Sequence, residues 1–166
     1  LGWMRGFNAE DAPHKGFRGS MSLPRELSLV KAQDKDRLAQ HVLPEIDQHF
    51  GNAQEIPLED GKAQMEKALL PCRLCLEGPG SKTVTLSTDR GIVRFGYAKA
   101  KTMLFVDTSG NGASGETLSC LRKRNALLLE NRDSAQCLTA YIDTTSIELF
   151  TGDGRAVITA QYLSET

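Results

Sequence analysis

The sequence predicts an all-β chain, most of it an antiparallel β-sandwich. Three observations carry that prediction. Short β-prone runs recur at regular spacing from Cys72 onward. Polar or glycine-rich turns (EGPGSK, DRG, SGNGASG, NRDS and TGDGR) separate them. The last two runs flank Gly152-Asp153-Gly154, a clear hairpin signal.

In chain order, 1–15 is polar and irregular after an aromatic opening at Trp3 and Phe7. Phe17–Ser22 and Arg25–Val30 read as strands. Pro24 lies between them, where no ladder N–H is needed, and Leu27 and Leu29 share a face opposite Glu26 and Ser28. The polar run KAQDKD reads as a turn and Arg37–Val42 as the returning strand. Pro44 opens a short helix. Glu45 and Asp47 suit its positive end, Gly51 can close it, and Ile46 and Phe50 supply one apolar face. Asn52 to Gly61 is a polar connection and the predicted domain boundary, giving units at 1–50 and 61–166. Lys62 to Leu70 fits a helix nearly as well as a strand.

The sandwich strands are expected at Cys72–Leu76, Thr83–Ser87, Ile92–Tyr97, Thr102–Asp107, Ala126–Glu130, Leu138–Asp143, Ser146–Phe150 and Ala156–Tyr162. In the closing hairpin, Ile142, Ile147 and Leu149 suit the inner face, with Val157 joining them. Phe150 must then point to the opposite, outer face.

Composition narrows the function classes. The chain has 166 residues, 40% hydrophobic and 25% charged, with a formal net charge of −1. That balance offers no bulk attraction to nucleic acid or to an anionic membrane. No apolar run approaches the ~18 residues of a membrane span. The opening residue, Leu1, suggests a processed chain or a fragment.

Cys72 and Cys75 form a C-x-x-C pair, the reach of half a zinc site, but Cys120 and Cys137 stand alone and no histidine lies near either. Buried thiols are the simpler expectation, with no metal. His14, His41 and His49 are unrelated in sequence, and no nucleophile elbow, zincin helix or phosphate-binding loop is present. Arg122 to Arg124 read as a solvated strand edge. From the residues alone the chain has a fold and no catalytic constellation.

GSMSLPRELSLV, Gly19 to Val30, resembles the segment that closes the catalytic domain of glycoside hydrolase family 32, the invertases, inulinases and levanases. Gly2-Trp3-Met4 resembles the family's Gly-Trp-Met strand, and the Pro44-Glu45-Ile46 helix sits where the family has its linker. YIDTTSIELFTGDGRAVIT resembles its closing hairpin, and FGYAKAKTMLFVDTSGNG an earlier strand pair. The chain departs from the pattern at Thr108 and Thr144, where the family has Arg, and at Ala98, where it has Asp.

The resemblance implies the last strands of a five-bladed β-propeller and a short linker helix, followed by the C-terminal sandwich. It implies retaining hydrolysis of β-fructofuranosyl bonds in sucrose or fructans by two carboxylates, without cofactor or metal. The family's three acidic motifs (Asn-Asp-Pro-Asn-Gly, Arg-Asp-Pro and Glu-Cys) do not occur here, so no catalytic residue is expected in the chain. Its implied partner is the N-terminal propeller. A free-standing carbohydrate-binding sandwich is the alternative, and self-association is expected where propeller strands would otherwise cover the N-terminal segment. Trp3 would wall the fructose pocket by stacking on sugar C–H faces, or else sit in the core of the last blade. Arg25 and Glu26 are expected to form a structural pair that ties the blade to its neighbours.

Overall fold

The computed structural model describes residues 1–4, 20–32, 35–65, 68–111, 124–130, 135–162 and 164. Strands β1 (Trp3–Met4) and β2 (Ser20–Met21) form a small antiparallel pair, and β3 (Arg25–Ala32) and β4 (Lys35–Val42) form a longer hairpin. Helix α1 (Pro44–Asp47) continues as a 3-10 turn to Phe50 and ends at Gly51, whose φ of 65° a side chain would resist.

Eight further strands follow: β5 (Cys72–Glu77), β6 (Lys82–Thr88), β7 (Gly91–Ala98), β8 (Met103–Asn111), β9 (Arg124–Leu128), β10 (Cys137–Ile142), β11 (Ser146–Thr151) and β12 (Val157–Gln161). They build two antiparallel four-stranded sheets, ordered β12-β11-β10-β5 and β6-β7-β8-β9. The sheets share one core. Val93, Phe95, Leu104 and Val106 of one meet Leu138, Ala140, Ile147 and Leu149 of the other, and each of these is fully buried. This is the sandwich that the strand spacing predicts, with all eight expected strands present.

Several expectations need correction. The KAQDKD turn is mostly strand, because β3 runs to Ala32 and β4 begins at Lys35; Gln33 and Asp34 lie outside the described residues. At the tip of this ribbon Lys31, Lys35 and Asp36 are exposed, and such an end tolerates polar residues that elsewhere signal a loop. The start of SGNGASG likewise belongs to β8, which extends to Asn111. Lys62 to Leu70 forms neither helix nor strand where described. Val157 does not join the core. Pairing Phe150 with Val157 and Leu149 with Ile158 sends Ile158 and Ala160 inward and Val157 outward, half-buried.

Of the expected Phe17–Ser22 strand, 17–19 fall outside the described residues, as do His14, Cys120, Arg122 and Lys123. Arg124 opens the edge strand β9, with its guanidinium 5.0 Å from the Phe105 ring centroid.

Candidate functional site

The most heavily built polar region is the outer face of the β12-β11-β10-β5 sheet, where the N-terminal hairpin and the linker helix dock. Alternation along β11 sends Ile147 and Leu149 into the core and Ser146, Glu148 and Phe150 outward. Yet every residue of β11 is buried. The strand is central in its sheet, and its outer face is covered as fully as its inner one.

Glu148 is the centre of that cover. Its side chain is 4% exposed and is paired with Arg25 through Oε2 and Nη2. Its Oε1 accepts the Leu23 N–H at 2.6 Å. Arg25 also donates to Thr159 Oγ1 at 2.6 Å and Gln40 Oε1 at 3.0 Å, and its guanidinium lies 5.1 Å from the Phe150 ring centroid. A buried carboxylate needs a cation and additional donors to offset desolvation, and this one has both. The expected tie to a neighbouring unit is thus made by Arg25 with Glu148, and Glu26 takes no part in it. Adjacent strand residues point to opposite faces and do not meet; the Arg25 side chain reaches Glu148 of the sandwich, while Glu26 is exposed.

A second tie lies beside the first. Tyr141 donates its hydroxyl to Asp47 Oδ1 at 2.6 Å, and Arg73 Nη1 reaches the same oxygen at 3.0 Å. Tyr141 packs edge-on against Phe50 and Phe150, at 5.5 and 5.6 Å between centroids. Burial, followed by the bond to Asp47, pushes the Tyr141 hydroxyl well above its usual pKa, and the hydrogen bond to Asp47 holds Arg73 above its own. Phe150 thus faces the linker helix side, as its place in the strand requires.

The hairpin is pinned twice more. Gln40 N–H donates to Gly154 O at 2.8 Å, and Arg37 Nε donates to Glu130 Oε2 at 2.9 Å. Gly154 has φ 68°, and a Cβ there would stand 2.7 Å from Gln40 O and 2.6 Å from the His41 ring. His41 and His49 are exposed.

Trp3 lies in β1, in register with Met21; beside it, Ser22 N–H donates to Gly2 O and Gly2 N–H to Ser22 Oγ, both at 2.8 Å. Strand β1 rests against β12, which places Trp3 near the same seam. The carboxylates at the seam, Glu148 and Asp47, are each committed to an arginine, an arrangement that fastens rather than transfers protons.

The cysteines do not converge. Cys72 and Cys75 are three apart on β5, so they face opposite sides. Cys72 packs against the core and Cys75 is exposed, contrary to the expectation of buried thiols. Burial raises the pKa of Cys72, and also that of Cys137, which is half-buried. Among the described residues no group of three or more His, Cys, Asp or Glu could hold a metal ion.

Sequence reasoning missed Glu148. The available signal was an acidic residue two positions before Phe150 in a strand with aliphatic alternate positions. Its partner, Arg25, is 123 residues away in sequence.

Comparison with known proteins gives this seam its context. The profile for "Glycosyl hydrolases family 32 C terminal" matches residues 79–165. A levanase from Bacillus subtilis (strain 168) is 24% identical over 177 aligned residues, covering 96% of this chain and 25% of the levanase. Among solved structures, an exo-inulinase from Aspergillus awamori superposes with a TM-score of 0.62 at 18% identity, covering 98% of this chain and 34% of the inulinase. A fructofuranosidase from Schwanniomyces occidentalis complexed with fructose superposes at 0.54 and 13% identity, covering 92% of this chain and 36% of that one. The chain thus spans a quarter to about a third of the length of these relatives. With the profile matching more than half of its residues, on the sandwich strands described above, the chain belongs to glycoside hydrolase family 32.

Proposed function

We propose that this chain serves as the C-terminal part of a glycosidase that hydrolyses β-fructofuranosyl bonds of sucrose or fructans with retention. In this reading 1–50 is the end of a catalytic five-bladed propeller plus its linker, and 61–166 is a sandwich that braces it. The observation carrying the proposal is the family match over 79–165, on a sandwich whose outer face is clamped to the N-terminal hairpin. The nucleophile and the acid/base lie on the propeller, upstream of this chain, and the upstream propeller is its partner. Trp3 contributes an aromatic wall to the fructose pocket. A free-standing carbohydrate-binding sandwich is disfavoured, because β3 and β4 expose Leu27, Leu29 and Leu38, a face that further propeller strands would cover.

The test is fructose release. The 166-residue chain should release none from sucrose, inulin or levan, since losing even one catalytic group commonly costs orders of magnitude. A protein extended upstream in frame to include an Asn-Asp-Pro-Asn-Gly motif should release it. In that protein Trp3→Ala should raise KM. Turnover by the chain alone, or none by the extended protein, overturns the proposal.

A further inference from the structure

The stretch joining the linker helix to the sandwich leaves the seam and returns to it. Its ends, Asp47 and Arg73, are bonded to each other at 3.0 Å, and Phe50 packs on Tyr141, the register partner of Arg73. At about 3.3–3.6 Å per extended residue, a handful of residues would bridge that gap. The chain instead runs outward through 52–65, and every residue from 51 to 65 is exposed. Among the described residues this stretch bonds its backbone only to itself, Glu59 N–H to Lys62 O and Lys62 N–H to Glu59 O, each at 2.9 Å. The turn between them carries positive φ at both central residues, Asp60 at 49° and Gly61 at 72°, the geometry of a tight hairpin tip.

We propose that this excursion is a processing site: a trypsin-class protease hydrolyses the Lys62–Ala63 peptide bond, and the product is a stable two-chain protein. Water adds across the amide, leaving a carboxylate on Lys62 and an amine on Ala63. An exposed loop tip with few backbone bonds to the body is where proteases cut most readily. The Glu59–Lys62 bridge is isolated, so opening its two bonds frees the segment to lie as an added strand in a protease cleft. The cut severs nothing else, because every tie at the seam joins the piece before Lys62 to the piece after it. Arg25 holds Glu148, Asp47 holds Arg73 and Tyr141, Arg37 holds Glu130, and Gln40 holds Gly154.

Brief trypsin treatment of the full chain, read by mass spectrometry and native size-exclusion, tests this. Cleavage after Lys62 should run at least about tenfold faster than cleavage after Lys31, Lys35, Lys82, Lys99 or Lys101, whose backbones sit in strands or turns of the body. The two pieces should co-elute natively and separate only in denaturant. Lys62→Gln should abolish the fast cut and leave the elution of the uncut protein unchanged. Comparable cleavage at those other lysines, or separation of the nicked pieces under native conditions, overturns the proposal.

Discussion

Glu148 lies 4% exposed between a backbone N–H and an arginine, on the outward-facing side of a strand. Removing one member of such a buried pair strands the other without compensation. Glu148→Ala should therefore cost about 3–5 kcal/mol, read from the shift of a denaturant midpoint. Replacing both members by apolar residues, Arg25→Met with Glu148→Leu, should cost less than the single change. A double variant weaker than the single would remove the ion pair as the reason. At the inner face, Ile147 is fully buried, and Ile147→Ala should cost roughly 2–5 kcal/mol by the same measurement. Cys75 differs from both. It is exposed, so Cys75→Ser should change the midpoint by less than about 0.5 kcal/mol, and a chelator should not move it. Of these residues the sequence makes Ile147 legible, through its place in an alternating run. It does not make Glu148 legible, since alternation says only that the residue faces outward, and what covers that face comes from the far end of the chain.

At the scale of elements, the strands and the linker helix were readable because each carries its own local signal. Proline opens the helix, Gly152 to Gly154 turns the last hairpin, and two-residue alternation marks strands with one wet face. What failed were places where tertiary context sets the outcome: the polar ends of β3 and β4, and the register that swaps Val157 for Ile158. The docking of elements can be probed by pH. Tyr141 and Tyr162 both titrate above their usual 10.0, each chiefly through burial, with the Asp47 bond next for Tyr141 and the Asp143 charge next for Tyr162. The unfolded chain then loses these protons first, so stability is intact below about pH 10 and falls as pH rises through the higher folded-state values. Tyr141→Phe should lessen that alkaline loss without abolishing it, since Tyr162 remains; midpoints measured from pH 8 to 12 decide. An unchanged slope in the variant would mean that Tyr141 ionises freely in the folded protein.

For the whole molecule, the decisive feature is an imbalance between the two ends. The sandwich closes its core between two sheets, whereas the β3–β4 hairpin is pinned to it and still leaves Leu27 62%, Leu29 74% and Leu38 48% exposed. These three share one face of the ribbon, because Leu29 pairs with Leu38 and Leu27 stands two residues away on the same side. Contiguous apolar surface on a two-stranded sheet is a docking surface or an aggregation site. In the proposed full-length enzyme the neighbouring propeller strands cover it; in the isolated chain a second copy can take their place. Sedimentation should therefore show concentration-dependent association of the chain. Changing Leu27, Leu29 and Leu38 together to Glu should yield a monomer of nearly unchanged stability, because the leucines are wet in the single chain. Introduced into the enzyme extended upstream, the same three changes should instead destabilise it, by burying charge without partners. A wild-type chain that stays monomeric at high concentration, or an extended enzyme indifferent to the three glutamates, would show that no propeller strand rests on this face.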